Sequence, residues 1–566
     1  MLTTRSVTCG AVLVSLFAAC GPSQRDPNQP DGPYLEVTPG DARLDIINRA
    51  PASLTFTVEL VDDDGDRDDV TDRAMFYVDS QYGSFVGPTF TAYGGGSGVA
   101  TVTATVDGVS GDAPVTIYVR ESRVDASAPA NAADYFTGTE NPGMAPAIAY
   151  PAPDVIVPAN IGEFEVHWNP GGANVYEMAL TSAYSDVRVY YGNTNMGAFT
   201  PGEWFAAMAG SIEGTLTVRG ANMAQPGTFG SSAPQMVKKS NQPIEGGLYY
   251  FATQSSQGEA GIWRHDFANP GQPPQPFFTN SMSPNGCVGC HALSRDGSKM
   301  SLTFGGDGPA SLINTSTRAG TPPNDYWNFA TYMPSGNEVV TVYHGQMVLR
   351  DANSAAVISN ISSNGMYATH PEMNTAGTRL AFTQAQSGYY DFQVYQGSIY
   401  TMPYDAGTRQ FGAPTPLVVD GSNNFYPSWS PNDEWVLFNR ADNGTTTYDE
   451  PSASLWVVKA DGTVPPVQLA FANSGQGLTN SWARWAPFPQ TFGPDNEPVY
   501  WVTFSSKRNF GLRGGFGQPQ IWMAPFFPNR AAAGLDPSGP PFRLPFQAMD
   551  SNNHIAQWTE RVVEIE

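Results

Sequence analysis

The residues with the most chemistry in this sequence are Cys287-Val288-Gly289-Cys290-His291. Two thiols with two residues between them can bond the two vinyl groups of one porphyrin. An imidazole that follows at once can reach the iron. The pattern predicts one covalent haem c, held by Cys287 and Cys290 and ligated by His291. The chain has four cysteines, and the other two, Cys9 and Cys20, lie in its N-terminal segment. Zinc fits poorly, because two thiols and one imidazole leave a ligand missing. A thiol–disulfide exchange motif belongs at a strand–helix junction and is disfavoured here. No H-E-x-x-H, G-x-S-x-G or G-x-x-x-x-G-K-[ST] pattern offers competing chemistry.

The segments that must carry these residues begin with an export signal. Arg5 precedes a short apolar run, Ala11–Ala19, which is too short to span a bilayer of about 20 helical residues. Phe17-Ala18-Ala19-Cys20 resembles the bacterial lipoprotein box, with Phe17 in place of the usual leucine. That resemblance implies lipidation of Cys20, attachment to the membrane through the lipid, and, with Gly21 next, no signal for inner-membrane retention. An ordinary signal peptide cleaved nearby is the alternative. The expected location is the bacterial cell envelope, on the periplasmic side or the surface of the outer membrane. A formal net charge of −24 excludes nucleic acid as a partner, since phosphate recognition needs clustered Lys and Arg. It favours cationic proteins or divalent cations.

Composition predicts an all-β chain: 58 Gly, 48 Pro, 12% aromatic residues and only 14% charged. Residues 1–20 read as signal and 21–33 as a polar tether. Residues 34–121 read as a β-sandwich, from alternating runs such as Val99–Ala104 and Val115–Val119. This stretch resembles bacterial Ig-like repeats in "DGDRDDVT" and "GVATVTATVDG". Asp62, Asp63, Asp64, Asp66, Asp68 and Asp69 crowd one turn there. Without a bidentate Glu at the EF-hand distance, a solvated hairpin turn is the preferred reading over a Ca²⁺ loop. Residues 122–149, rich in Ala, Pro, Asn and Gly, read as a linker, and 150–240 as a second sandwich. His167 reads there as a surface or turn residue. Both sandwiches are expected to be spacers.

Residues 241–566 contain an internal repeat. An apolar residue, a polar turn and a strand recur at Leu293, Tyr332, Met373, Trp429 and Trp485, spaced 39, 41, 56 and 56 residues apart. That period fits the blades of a β-propeller with loop insertions, about 40–50 residues each. Tyr426-Pro427-Ser428-Trp429-Ser430-Pro431-Asn432 closely resembles the blade signature of TolB-like propellers, and His370-Pro371-Glu372-Met373 is a looser copy. Asn432 and Asp433 replace the usual Asp-Gly pair. The whole arrangement resembles envelope lipoproteins in which a TolB-like propeller carries a C-x-x-C-H blade. The fold implied is two sandwiches followed by a propeller of six blades.

In the repeat alignment Cys290 takes the position of His370 and Tyr426, which puts the haem on one face of the ring or in its central funnel. The candidates for a second iron ligand are His265, His344, His370, His554, Met282 and Met300. His554 is preferred. If Trp558 anchors the last blade, His554 aligns with Gly289 inside the motif, and ring closure makes the two segments neighbours. Met300 aligns with core positions. The expected function is electron transfer to redox proteins of the envelope, more a carrier than an enzyme. Two alternatives stay open: a haem peroxidase or ligand sensor with an open iron site, and a scaffolding propeller without haem.

Overall fold

A computed structural model describes residues 32–475, 478–514 and 517–566. Cys20 and the expected signal lie outside the described residues. Strands make up nearly all of the regular structure, so the class is all-β. No helix among the described residues is long and apolar enough to cross a membrane.

In the first sandwich, Gly98–Val106 alternates buried and exposed positions, and its inward Ala100, Val102 and Ala104 share a core with Val115, Ile117 and Phe90. This is the period of two that a half-buried strand must show. The acidic turn closes on itself: Asp62 Oδ1 accepts from the backbone N–H of Asp64 and Asp66 at 3.0 and 2.9 Å.

Residues 122–149 are not a linker. One long strand, Val109–Val124, pairs antiparallel with Gly98–Val106 and then, from Val119, parallel with Ser185–Tyr190 of the second unit. The two sandwiches therefore share a continuous sheet. Arg123 donates to both carboxylate oxygens of the buried Glu203 at 2.6 and 3.1 Å. Glu203 also completes a capping box with Thr200 at the start of helix Pro201–Met208. Ala147–Tyr150 pairs with Phe164–Asn169. Small, turn-prone residues here serve close packing, not mobility.

The second unit is no detached spacer either. Its Val155, Val157 and Trp204 belong to one apolar cluster with Leu248, Trp501 and Ile521 of the C-terminal body. The Asn160 side chain accepts from Ile244 N and donates to the carbonyls of Ile244 and Phe267, at 2.7, 3.0 and 2.8 Å. His167 is fully buried, contrary to its sequence reading. Its Nε2 meets Glu165 at 2.8 Å, its Nδ1 accepts from Leu512 N at 3.2 Å, and its ring packs edge-on against Phe510. It is an interface residue.

The C-terminal body is a β-propeller. Six sheets follow one another, and their innermost strands are Asn553–Thr559, Val288–Leu293, Phe329–Tyr332, Tyr367–Met373, Asn423–Trp429 and Ser481–Trp485. Each of these touches the next, and the last touches the first. The first sheet takes its innermost strand from the C-terminus: Asn553–Thr559 pairs antiparallel with Gly247–Ala252.

The repeated apolar residues Leu293, Tyr332, Met373, Trp429 and Trp485 end their innermost strands. Two tryptophans explain the signature. Trp429 Nε1 donates to the Glu372 carbonyl of the fourth sheet, and Trp485 Nε1 to the Ser428 carbonyl of the fifth, each at 3.0 Å. The ring is stitched sheet to sheet. Asp433, standing where the first three copies have Gly297, Gly336 and Gly377, keeps a glycine-like positive φ of 61°. Its carboxylate accepts from Asn374 Nδ2, Thr375 N and Ala376 N of the neighbouring turn at 3.0, 2.7 and 2.8 Å. Those bonds offset a backbone strain of about 1–2 kcal/mol.

Candidate functional site

The site is built from an irregularity repeated around the ring. The innermost strands lose register with their neighbours midway, between Val288 and His291, Thr369 and Glu372, Phe425 and Ser428, and Ser481 and Arg484. His370, Tyr426, Trp482 and Ile555 each stand at the irregularity with φ between 51° and 55°. Non-glycine residues rarely adopt this conformation, and β-branched ones least of all. Such bulges re-aim side chains, and here they turn a side chain toward the axis in each sheet that has one, whereas the third sheet presents Phe329 from a strand paired in regular register.

The result is an aromatic layer across the channel. Phe329 meets His370, His370 meets Tyr426, and Tyr426 stacks on Trp482, with ring centroids 4.7, 4.2 and 4.3 Å apart. Trp482 stacks back on Phe329 at 5.7 Å, and Ile555 packs in the same cluster. Cys290 is the equivalent residue of the second sheet. Its thiol lies within electrostatic range of Tyr426, Asp391 and Asp307.

Cys287 and Cys290 are unbridged and part-exposed. Crowding by protein on most sides pushes the Cys290 thiol up to about 12. A thiol held this high is a poor nucleophile at neutral pH, which disfavours a thiol–disulfide exchange role. The segment is anchored from both sides: Ser283 Oγ donates to the Cys287 carbonyl at 2.6 Å, and Val288 N to Asn280 Oδ1 at 3.0 Å.

His291 is buried, and burial holds its imidazole neutral, with a pKa lowered to about 4. Successive side chains of a strand point to opposite faces, so His291 lies against the first sheet, where Nε2 has a long 3.5 Å contact with the Tyr249 carbonyl. Its Nδ1 is buried without a partner. The closing strand packs beside Val288–Leu293, and His554 lies within electrostatic range of His291. Burial also lowers His554 to about 4, and its ring stands edge-on to Phe251 at 5.1 Å.

The other ligand candidates are accounted for. His265 stacks on Phe546 at 4.0 Å. His344 is exposed and faces Asp307 at 3.2 Å. Met300 is fully buried core, and Met282 is exposed. His370 sits in the aromatic layer with its Nε2 unpartnered. The donor set fits a c-type haem in kind: two unbridged thiols and a neutral imidazole with an orphaned nitrogen, where the strand is already irregular. No group of three or more His, Cys, Asp or Glu among the described residues could hold a bare metal ion.

A keystone supports the rim of this face. Asp391 is fully buried and accepts four hydrogen bonds: from His344 N at 2.8 Å, Gly345 N at 2.9 Å, Tyr367 Oη at 2.8 Å and Asn328 Nδ2 at 3.0 Å. His344 and Gly345 both have positive φ, the type I′ signature of a two-residue hairpin. A Cβ on Gly345 would lie 2.6 Å from the Tyr367 ring, so only glycine fits.

Sequence reasoning aligned Tyr426 with Cys290 but did not single out Trp482, Glu372 or Arg484 for the axis. The signal was there, since each holds a fixed offset from a repeat anchor.

No protein-family model matches the chain, and no curated protein does. Among solved structures, a chain described as a TolB from Agrobacterium tumefaciens is 14% identical with a TM-score of 0.31, over 56% of this chain and 98% of its own. A chain of a nidogen/laminin complex is 8% identical with a TM-score of 0.33, over 55% of this chain and 97% of its own. The dihydro-heme d1 dehydrogenase NirN is 15% identical with a TM-score of 0.28, over 46% of this chain and 51% of its own. Likenesses this distant say nothing of activity, and the propeller rests on its own strand pairing.

Proposed function

We propose that this chain is a cell-envelope c-type cytochrome. Cys20 would anchor it by lipid, Cys287 and Cys290 would hold one haem c, His291 and His554 would bind its iron, and envelope redox proteins would be its partners. One observation carries the reading: two unbridged thiols beside a buried, neutral imidazole with an unpartnered nitrogen, at the mouth of a propeller channel. When bound, the haem supplies a one-electron iron couple. The protein's own part is to fix and shield it. The aromatic layer of Phe329, His370, Tyr426 and Trp482 closes the channel behind the motif and excludes water. Asp307 and Asp391 make the mouth acidic, which suits a partner with a cationic face. With Cys290 facing the channel, His291 reaches the same haem only if residues 287–291 leave the extended conformation at their bulge.

That requirement favours a second reading, a binding propeller without haem, in which His291 simply packs between sheets. One experiment separates the two. The full chain is produced in a bacterium with a haem-maturation system, and haem-dependent peroxidase staining is read after denaturing electrophoresis. The wild type stains and Cys287→Ala/Cys290→Ala does not. A wild type that never stains removes the cytochrome reading and leaves the scaffold. Cys20→Ser tests the anchor, and its continued presence in the membrane fraction would refute lipidation there.

A further inference from the structure

Beyond the aromatic layer, on the side away from the thiols, lies a second ring of side chains. Each residue two positions after the aromatic layer returns to the axis: Ala292, Thr331, Glu372, Ser428, Arg484 and Gln557 line a cavity of about 140 Å³. A cavity of this order holds a molecule about the size of benzene. Its roof is shut, because Phe329, His370, Tyr426, Trp482 and Ile555 are all buried.

Two opposite charges face this space without meeting. Arg484 is 8% exposed; its Nη1 donates to the Ala483 carbonyl at 2.9 Å and its Nε is buried with no partner. Glu372 forms no ion pair among the described residues, yet Arg484 acts on it electrostatically. They stand on the fourth and sixth sheets, with Ser428 of the fifth between them. Burying unpaired charges is costly, and proteins keep such groups where something completes them. Burial raises Glu372, and a cation beside it would restore its ionised form.

We propose that this blind cavity binds a small zwitterion, an amino acid or short ω-amino acid, with its carboxylate on Arg484 and its ammonium on Glu372. A guanidinium grips a carboxylate with two parallel bonds, and a single molecule spanning both charges satisfies the pair at once. With the roof closed, a ligand enters and leaves only past the turn residues Arg295, Pro334, Thr375 and Pro431. Neither thiol and no part of His291 lines the cavity, so the site does not depend on the haem.

The test is isothermal titration of the purified full chain with γ-aminobutyrate and with glycine, against acetate and methylammonium as singly charged controls. At least one zwitterion binds, more tightly than either control. Arg484→Gln and Glu372→Gln each weaken it about tenfold or more, and Arg484→Lys loses less than Arg484→Gln. The absence of heat and of a melting-temperature rise with both zwitterions, each at about 10 mM, overturns the proposal. So does equal affinity for acetate and the zwitterions, which needs no variant and keeps the test valid if the variants unfold.

Discussion

Replacing Asp391 by Asn keeps the shape of the side chain and turns one of its two oxygens into a donor. Each oxygen accepts from two donors: Oδ2 from Asn328 Nδ2 and His344 N, Oδ1 from Gly345 N and Tyr367 Oη. Either orientation of the amide therefore puts a donor against two donors in a site with no exposure to water. The bonds that survive lose their charge, which is worth about 1.5–3 kcal/mol per bond before substitution. Removing one partner from a buried charged network costs about 3–5 kcal/mol, and that is the expected loss. On the usual scaling for a body of this size the propeller should melt roughly 4–7 °C lower. Near-ultraviolet circular dichroism follows that transition through the ring's own tryptophans. Tyr367→Phe removes one bond of the four and should cost about 1–2 kcal/mol. An Asp391→Asn protein melting within about 1 °C of wild type would refute the keystone argument, because two donors cannot lose their acceptor at a buried site for nothing.

The remaining predictions concern the iron, the domain junction and pH. His554→Ala should convert a low-spin haem spectrum to a high-spin one that binds added cyanide, whereas an unchanged spectrum would exclude His554 as ligand. A chain starting near Asn241 should expose the apolar surface around Leu248, Trp501 and Ile521; its propeller should melt lower or aggregate, and full-length stability in the truncated protein would refute the fused junction. Burial lowers His265 to about 4 and His370 well below its ordinary value. The unfolded chain thus binds protons at these sites that the folded chain does not, so stability falls as pH drops from about 6.5 toward 4. A flat melting temperature between pH 7 and 4.5 would contradict it, and His265→Phe should reduce the slope.

The repeat was legible because its unit is local. An apolar anchor, a polar turn and a strand occupy about a dozen consecutive residues, and Leu293, Tyr332, Met373, Trp429 and Trp485 each proved to end an innermost strand. Ring closure followed from the repeat, which put the closing strand of His554 beside the motif. The junction of the sandwiches was not legible. It depends on parallel pairing between Val119–Val124 and Ser185–Tyr190, and no local period reports a partner about 65 residues away. Composition misled at residues 122–149, where Ala, Pro and Gly are needed for close packing. His167 misled because a histidine looks the same in sequence at a surface turn and at an interface. The channel residues were hidden for a third reason. Glu372 and Arg484 lie more than 100 positions apart, and only the superposition of sheets around an axis brings them to one space.

The closing strand also sets a timetable. A chain exported N-terminus first delivers Gly247–Ala252 to the far side of the membrane well before its partner Asn553–Thr559. Until Asn553–Thr559 arrives, that strand keeps a row of unsatisfied backbone groups along its inward edge, a template on which other chains can assemble. The first sheet is thus the last to be completed, and the interval is the time needed to deliver about 300 further residues. During that interval Cys287–His291, which pack against the missing strand in the finished ring, stand on an open border. Any enzyme that must reach both thiols has its widest access then, and the arrival of Asn553–Thr559 ends it.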